Sequence, residues 1–536
     1  MAEKRRKFWG WGVEEADLNE EQRLDLAKRI EKLFNVEGLE LDSPPKLDEI
    51  DLPESKVTTP ESLSEISTTD PYERAAHTYG KGFPDVVRAY MRDFSVAPDI
   101  VAFPKNEQDI VDLLDWCSSQ NIAAIPYGGG SSVVKGTEPD VDDSYAGTLT
   151  IDMKNLNKVV EIDRTSRAAN IQAGIYGPDL ENALRPEGLT LRHFPQSFQF
   201  STLGGWIATR SGGHFATLYT HIDDFVENLR VITPSGSVES LRLPGSGAGP
   251  SPDRFFIGSE GAMGIITSAW MRLQDRPKFR VNASLTFPDF ISASEAVRAI
   301  AQAGIYPSNV RILDPDEAMF NNVYDGSAAI MVLGFESADH ELQPWMNRAL
   351  ECAKDHGGVI PDESKGDSKN KHREGIAGAW RDSFINMPYI WEALIAMGMI
   401  TETYESAITW DRFQEFHDTM MDETKKIVKE VCGNEGIVSC RFTYAYPDGP
   451  APYYTVTAPG KKGSLLEMGA EIKTAISETI VRLGGTISHH HAIGRYHDKW
   501  YKKQCPEAFA RVLKAAKQQL DPAGIMNPGV LVDPNK

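Results

Sequence analysis

The sequence predicts an α+β fold of two domains behind a helical N-terminal extension. The chain has 536 residues, which is more than one hydrophobic core usually supports. A strand–helix–strand pattern at residues 101–125 leads into a glycine-rich loop, and β-rich segments separated by turns follow it. Beyond Pro277, alternating apolar residues with helical patterns between them predict a second α+β domain. We therefore place the two domains at 96–276 and 277–504, between an extension at 1–95 and a C-terminal segment at 505–536 that returns to the first domain.

The extension carries one clear helix signal. Asn19-Glu20-Glu21-Gln22 has the form of a capping box, and the apolar residues from Leu24 to Phe34 follow at helical spacing. Residues 36–75 are rich in Pro, Ser, Glu and Asp and predict irregular chain on the surface. Ahead of the helix, Phe8-Trp9-Gly10-Trp11-Gly12 is an aromatic-glycine segment that we interpret as packing into a groove.

Composition and charge narrow the classes of partner. The net charge of −21 argues against general binding to nucleic acid or to an anionic membrane, because both need basic patches. Five scattered cysteines without a Cys-x-x-Cys pair indicate reduced thiols. We see no secretory signal and no apolar run of about 18 residues. We expect a cytoplasmic protein that binds a small-molecule substrate and makes at most peripheral contact with a membrane. A homodimer is compatible with the sequence.

The first domain is organised around a glycine-rich loop at the end of a short buried strand, Ile122–Ile125. Glycines let the backbone turn sharply and approach a ligand, and we expect a positive φ at Gly129. Successive N–H groups in such a turn bind anions, and serine hydroxyls add donors. A glycine-rich surface turn is the plain alternative, since neither the Lys-Ser/Thr ending nor the Gly-x-Gly-x-x-Gly spacing of common phosphate loops is present. The loop residues are Pro126, Tyr127, Gly128, Gly129, Gly130, Ser131 and Ser132.

Two later stretches of the chain support the interpretation that the glycine-rich loop binds a ligand. Residues 195–214 and 258–267, together with the glycine loop, resemble the FAD-binding half of the vanillyl-alcohol-oxidase superfamily, whose FAD-binding domain is of the two-lobed PCMH type. The resemblance implies that the loop holds the pyrophosphate and that the other stretches line the flavin. It adds these cofactor-binding residues: Gln196, Ser197, Phe198, Gln199, Phe200, Ser201, Thr202, Gly205, Thr209, Arg210, Ser211, Gly212, Glu260, Gly261, Gly264, Ile265 and Ile266.

The cofactor is expected to be noncovalent FAD. Relatives that tether FAD through this loop use a His or Cys beside the glycines, and residues 126–132 contain neither. The segments at 149–152, 159–163 and 168–173 are β-rich and predict the second, mostly antiparallel lobe of this domain.

Outside the FAD half, the most informative motif is the triplet His489-His490-His491. On a strand, His489 and His491 would share one face and His490 would take the other. No cysteine or acidic residue at metal-ligand spacing flanks the triplet, so we assign no metal, although a metal site and a surface run remain alternatives. Beside a flavin, general base catalysis or hydrogen bonding to substrate is favoured, because neutral imidazole titrates near working pH.

Several ordered motifs narrow the resemblance to the alkylglycerone-phosphate synthase family. They are Trp9–Gly12, Pro126–Ser132, Phe198–Trp206, Asn309–Asp314, Thr409–Arg412, Cys440-Arg441 and the His triplet. The resemblance implies an ether-lipid reaction that exchanges the acyl group of an acyl-glycerone phosphate for an alkyl group through a flavin N5 adduct. It also implies proton handling by the triplet and by a tyrosine that maps to Tyr453. A purely structural tyrosine in a strand is the alternative for Tyr453.

One departure from the family pattern concerns the substrate. The family places an Arg for the acidic group directly after a Tyr-Ile-like dipeptide, whereas Tyr389-Ile390 is followed here by Trp391. A guanidinium suits phosphate and an indole cannot replace it. Either another cation takes the role or the substrate is apolar or aromatic. The candidates for such a cation are Arg311, Arg381 and Arg441.

The alternative functions are an FAD-linked dehydrogenase or oxidase of a 2-hydroxy acid or aromatic alcohol, and a non-catalytic flavoprotein.

Overall fold

The computed structural model describes residues 5–219, 221–361 and 376–532, and it describes the backbone alone at residues 377 and 379–385. Arg381 therefore lies outside the residues whose side chains are described. Of the described helices, none combines the length and the apolar character that a membrane crossing requires.

The N-terminal extension forms the predicted helix, α1 (Glu20–Phe34). Asn19 caps it: its side chain accepts the Gln22 N–H, and the Gln22 side chain accepts the Asn19 N–H, which completes the capping box. Ile30 is fully buried on the inner face of α1. The chain then runs largely irregularly, as predicted, through β1 (Ser67–Thr68) to α2 (Pro71–Ala76) and α3 (Phe83–Tyr90).

The first lobe of the FAD domain is a four-stranded sheet of order β1-β2-β4-β3. Its strands β3 and β4 both run parallel to their neighbours, so their carboxyl ends meet at one edge. The glycine loop begins where β3 ends. The elements are β2 (Ile100–Ala102), α4 (Glu107–Gln120), β3 (Ile122–Tyr127) and β4 (Gly147–Asp152).

Strand β4 corrects one expectation. Residues 149–152 were predicted to belong to the antiparallel lobe, but they pair in parallel with β3, from Ile122 opposite Gly147 to Tyr127 opposite Asp152. All six residues of β4 are buried, which is typical of a strand covered on both faces. The C-terminal segment lies on the other side of β3: the Ala124 N–H donates to the Ile525 carbonyl oxygen at 2.8 Å, and the Asn527 N–H donates to the Ala124 carbonyl oxygen at 2.9 Å.

The second lobe is the predicted antiparallel one, a five-stranded sheet of order β5-β6-β10-β8-β9. Helix α6 lies against it and carries the 203–208 part of the flavin stretch. The elements are β5 (Val159–Asp163), β6 (Ala168–Gln172), α5 (Gly177–Leu184), β7 (Leu189–Thr190), α6 (Leu203–Ala208), α7 (Ala216–Tyr219), β8 (Val226–Thr233), β9 (Gly236–Glu239), α8 (Pro252–Phe256), β10 (Ile265–Arg272) and β11 (Gln274–Asp275).

The second domain is a six-stranded antiparallel sheet of order β12-β14-β13-β16-β17-β15 with helices packed against it. The predicted strands at 281–287 and 328–335 are confirmed as β12 and β14. The elements are β12 (Phe279–Phe287), α9 (Phe290–Gln302), β13 (Asn309–Leu313), α10 (Pro315–Phe320), β14 (Ala329–Ser337), α11 (Gln343–Asp355), α12 (Ile376–Ala396), β15 (Met399–Glu405), α13 (Trp410–Cys432), β16 (Ile437–Ala445), β17 (Pro450–Pro459), α14 (Leu465–Arg482) and α15 (Asp498–Gln504). Helix α16 (Glu507–Leu520) lies in the C-terminal segment and packs against the antiparallel lobe of the first domain.

Candidate active site

The residues singled out in the sequence converge on two adjoining cavities. The main cavity, of about 210 Å³, lies between the glycine loop, α6 and strands of the second domain. A smaller cavity of about 100 Å³ continues from it along the glycine loop to the 260–266 stretch. The two share six wall residues, which are Gly128, Ser132, Thr137, Thr202, Gly205 and Thr209.

Most of the predicted cofactor residues line one or both cavities. They are Pro126, Tyr127, Gly128, Gly129, Gly130, Ser131, Ser132, Gln196, Ser197, Ser201, Thr202, Gly205, Thr209, Ser211, Gly212, Glu260, Gly261, Gly264, Ile265 and Ile266. Four others lie off these walls. Phe198, Gln199 and Phe200 form a short 3-10 turn in which Phe198 stacks on Trp206, and Arg210 faces a third cavity.

The glycine loop is held by close backbone approach rather than by the torsion expected at Gly129. Positive φ occurs at Gly130, at 63°, and not at Gly129. A Cβ on Gly129 would lie 1.9 Å from the Phe200 carbonyl oxygen and 2.7 Å from the Ser201 Cα. Because both are main-chain atoms, only glycine lets the 126–132 and 195–202 stretches meet here.

The walls of the two cavities fit FAD. The buried Thr137 hydroxyl oxygen lines both cavities and finds no hydrogen-bond partner among the described residues. A buried polar atom without a partner costs free energy that a ligand's polar group can recover. The loop glycines and serines supply the backbone and hydroxyl donors that suit a pyrophosphate.

A buried lysine that the sequence did not single out adds a cation to this wall. Lys81 is 4% exposed, lines the main cavity and forms no ion pair with any described residue. Its N–H donates to the Ser132 carbonyl oxygen at 2.6 Å, which fixes it beside the glycine loop. Burial, followed by the nearby Arg6, lowers the pKa of Lys81 to about 8. In the sequence it stands in an ordinary turn, and nothing there distinguishes it from other lysines.

The aromatic-glycine segment at the N-terminus joins the two domains beside the cavity. Arg6 donates from Nη2 to the Gly129 carbonyl oxygen at 2.8 Å. The next residue, Lys7, forms a buried ion pair with Glu392 at 2.7 Å. Trp11 lines the main cavity. Arg6 and Lys7, directly before the aromatic-glycine segment, therefore connect the glycine loop with helix α12.

The His triplet lies in a bend and not in a strand, because its backbone wraps around a carboxylate. Glu405, the last residue of β15, accepts N–H bonds from His489 at 2.7 Å, His490 at 3.2 Å and His491 at 3.0 Å. The Ser488 hydroxyl donates to the same carboxylate at 2.8 Å. This curvature separates the rings: His490 and His491 line the main cavity, whereas His489 lines the third cavity.

Burial keeps the triplet neutral. It lowers the pKa of His490 to about 3 and that of His491 to about 4, although the Glu405 charge opposes the shift. It lowers the pKa of His489 well below the usual value as well. Burial also opposes ionisation of Glu405, but the facing imidazoles outweigh it and lower the pKa of this carboxyl. At neutral pH the site therefore pairs a carboxylate with three imidazoles that can accept protons.

Tertiary structure supplies the acidic neighbour that the sequence lacked. Ligand atoms of Glu405, His489 and His490 lie within 4.8 Å of one another, close enough to hold a metal ion. Both Glu405 oxygens, however, already accept hydrogen bonds from the backbone of the triplet. A metal at this position would have to displace those donors, so proton transfer remains our interpretation of the cluster.

The main cavity is also lined by Tyr453 and Arg441. Tyr453 on β17 pairs with Arg441 on β16, and the Arg441 guanidinium lies 3.9 Å from the centre of the Tyr453 ring. Arg441 forms a buried ion pair with Glu317, so its charge is already balanced. Burial raises the pKa of Tyr453, which keeps its hydroxyl protonated. The Tyr453 ring centre lies 6.0 Å from that of His490 and 5.4 Å from that of His491.

Arg311 and Trp391 also line the main cavity. Arg311 on β13 is 2% exposed, and burial lowers its pKa to about 10. Trp391 on α12 lines the cavity together with Met387 and Pro388. The indole that replaces the family arginine thus faces the site, and Arg311 is a buried cation on the same cavity.

We expect acid precipitation of the protein to release all of its FAD into the supernatant. The glycine loop has no histidine or cysteine, and no described residue that lines the two cavities is a cysteine. Absorbance of the supernatant and of the washed pellet, read at the flavin maximum, measures the release. Yellow colour retained in the pellet would contradict noncovalent binding.

Comparison with known proteins supports an FAD-dependent enzyme. A family model described as "FAD binding domain" matches residues 98–242, and one described as "FAD linked oxidases, C-terminal domain" matches residues 276–531. The alkyldihydroxyacetonephosphate synthase of Dictyostelium discoideum is 28% identical over 93% of this chain and 83% of its own. An uncharacterized FAD-linked oxidoreductase of Escherichia coli strain K12 is 26% identical over 89% of this chain and 95% of its own.

A solved structure of an alkyldihydroxyacetonephosphate synthase shares the fold. It superposes with a TM-score of 0.81 over 98% of each chain, at 24% identity. The cofactor of the present protein is FAD, and the protein is an enzyme. The chain carries an FAD binding domain followed by the C-terminal domain of FAD linked oxidases, and it resembles alkyldihydroxyacetonephosphate synthase along most of its length.

Proposed function

We propose that this protein exchanges the acyl group of an acyl-glycerone phosphate for an alkyl group. The observation that carries the proposal is the composition of the main cavity. Two neutral imidazoles, His490 and His491, face the same space as a protonated phenol, Tyr453, and a buried guanidinium, Arg311. Groups for proton transfer and a group for anion binding therefore lie beside the proposed flavin site. A redox-neutral group exchange on a phosphate ester needs both kinds of group.

Side chains in and beside the main cavity carry out the proton transfer, the hydrogen bonding to substrate and the positioning of the triplet. Bound FAD supplies reversible two-electron chemistry. His490 and His491 take protons from the substrate or the incoming alcohol, because their lowered pKa values leave them unprotonated. Tyr453 donates a hydrogen bond to a substrate oxygen. Glu405 holds the backbone of the triplet and stabilises a proton once an imidazole has accepted it.

Arg311 is the residue to which we assign the substrate phosphate. Arg441 already balances Glu317, and Lys81 lies beside the glycine loop, where it would hold an FAD phosphate. Arg311 lines the same cavity as Trp391, the position at which the family pattern has arginine. A charge-assisted contact of this kind contributes about 1.5–3 kcal/mol.

We expect Arg311→Gln to weaken acyl-glycerone phosphate binding by roughly 10- to 150-fold, because it removes that charge-assisted contact. Trp391→Arg should strengthen binding, since it adds a second cation to the wall. The measurement is flavin absorbance during anaerobic titration of acyl-glycerone phosphate. Trp345→Arg is the matched control, since Trp345 is an exposed tryptophan on α11, and it should bind like the wild type.

Trp391 also favours a second candidate, an FAD-linked oxidoreductase of a 2-hydroxy acid or aromatic alcohol. An indole on the wall suits an apolar or aromatic substrate better than a phosphate. Wild-type protein that ignores acyl-glycerone phosphate, but whose flavin is bleached by a hydroxy acid or aromatic alcohol, would replace the first proposal with this one. Flavin bleaching together with release of the fatty carboxylate would support the exchange reaction. A cytoplasmic location, a homodimer and the domain bounds given above stay predictions.

A further inference from the structure

A third cavity lies on the far side of the His triplet. It has a volume of about 820 Å³, and His221, Tyr446 and His489 are among its wall residues. His490, the neighbour of His489, lines the main cavity instead. The triplet therefore separates the two spaces, with His490 and His491 facing the main cavity and His489 facing the third cavity.

A continuous set of hydrogen bonds crosses this partition. The Nδ1 atoms of His490 and His489 are 3.2 Å apart. The His489 Nε2 atom is 3.0 Å from the Tyr446 hydroxyl and 3.2 Å from the His221 Nε2 atom. The Tyr446 hydroxyl is 2.6 Å from the His221 Nε2 atom. The His221 Nδ1 atom is 3.3 Å from the Arg210 carbonyl oxygen.

The carbonyl at the end of the series fixes the direction of every bond. A carbonyl oxygen only accepts, so the His221 Nδ1 atom carries the hydrogen and the His221 Nε2 atom is an acceptor. Tyr446 then donates to His221 and its oxygen accepts from the His489 Nε2–H group. That tautomer leaves the His489 Nδ1 atom to accept from His490 Nδ1–H. The remaining ring nitrogen of His490, Nε2, is left as a proton acceptor.

We propose that His490, His489, Tyr446 and His221 form a proton relay that carries a substrate proton from the main cavity to His221, on the wall of the third cavity. The relay rests on the proton-accepting role proposed above for His490. His221 and Tyr446 are positioning and relay residues rather than catalytic ones, because they act through His489 and His490.

The transfer balances without any further reactant. A proton enters at His490 Nε2, and the His490 Nδ1 proton passes to His489 Nδ1. The His489 Nε2 proton passes to the Tyr446 oxygen while the Tyr446 hydroxyl proton passes to His221 Nε2. Each relay residue except His221 ends neutral, and the positive charge moves from His490 to His221.

The surroundings hold the rings of the relay in place. The ring of Tyr444 lies 5.0 Å from that of His489, 5.2 Å from that of His490 and 5.9 Å from that of His221, so it packs against all three rings. Burial lowers the pKa of His221, and the carboxylate of Asp223 and the hydrogen bond to the Arg210 carbonyl partly offset that shift. Burial raises the pKa of Tyr446, so Tyr446 passes a proton by exchange and does not ionise.

The test uses the FAD-loaded enzyme turning over acyl-glycerone phosphate with a fatty alcohol. We expect His221→Ala to lower the turnover number by at least about 10-fold and to leave the KM unchanged. This loss is smaller than the loss of about 100-fold or more that follows removal of a direct base. Tyr446→Phe should lower it less, because the direct 3.2 Å contact between His221 and His489 remains. Added imidazole should restore His221→Ala in a saturable way, since the third cavity has room for it.

Controls separate the relay from a structural effect and from failure of the proposed function. Tyr501→Phe removes a hydroxyl from the same cavity outside the relay and should behave like the wild type. Full turnover in His221→Ala, with turnover lost in His490→Ala, would overturn the relay alone. Full turnover in His490→Ala would overturn the proposed function. If His221→Ala does not fold, His221→Gln replaces it.

A second measurement does not depend on turnover or on the identity of the substrate. In protein labelled with ¹⁵N-histidine, His221 should show the tautomer with hydrogen on Nδ1, and the His221 variant identifies its signals. Tyr446→Phe should shift the His221 Nε2 resonance, because that atom loses a donor. The opposite tautomer, with hydrogen on Nε2, would reverse the direction of the bonds and overturn the relay.

Discussion

Gly129→Val is expected to yield protein that carries no FAD. The first added atom, Cβ, would lie 1.9 Å from the Phe200 carbonyl oxygen, and the two valine methyl groups would need further space. The backbone must move to relieve this contact, and that movement displaces the glycine loop from the pyrophosphate. Overpacking typically costs about 1–3 kcal/mol, and a contact of 1.9 Å with a main-chain atom lies at the upper end of that range, a loss of FAD affinity of about 150-fold.

The measurement is the flavin-to-protein absorbance ratio after purification, followed by FAD titration of the apoprotein with flavin fluorescence as the signal. Far-UV circular dichroism shows whether the variant has folded. Gly247→Val is the matched control, because Gly247 lies in an exposed loop, has no positive φ and has no neighbouring atom within 4 Å of its added Cβ. Normal FAD content in Gly129→Val would show that the phosphate site lies elsewhere.

His490→Ala is expected to keep FAD and lose at least about 100-fold in turnover, the scale of a lost general acid–base group. His490 lines the main cavity, and its Nδ1 atom lies 3.2 Å from the Nδ1 atom of His489. His491→Ala should also reduce the rate, since His491 faces the same cavity. His340→Ala, at an exposed histidine, is the matched control.

The pH dependence of the rate gives an independent check on these residues. Free imidazole titrates near 6.5, but burial lowers the pKa of His490 to about 3 and that of His491 to about 4. A lowered pKa means that protonation removes the base only below about pH 4. The rate should therefore show no step near pH 6.5 from these groups.

The metal content of the protein distinguishes proton transfer from metal binding at the His triplet. Elemental analysis of the active enzyme should find no stoichiometric zinc or other transition metal. Stoichiometric metal, with activity lost on chelation, would favour the ligand interpretation of Glu405, His489 and His490 over proton transfer.

The sequence by itself determined the local elements and the cofactor. The Asn19 capping box, the strand at Ile122, the glycine loop and the alternating strands of the second domain depend on residues near one another in the chain, and the structure has each of them. The ordered flavin stretches were enough to identify FAD, because a nucleotide site is built largely from short segments with glycines at fixed positions.

Only the tertiary structure decided which groups meet in the site. Glu405 reaches the triplet across 84 positions of sequence, and His221 reaches His489 across 268. The bend that directs His490 and His489 to different cavities exists because the Glu405 carboxylate gathers their N–H groups, and a strand pattern in the triplet could not reveal it. The burial that keeps these imidazoles neutral, and that leaves Lys81 without an ion pair among the described residues, likewise depends on packing between distant segments.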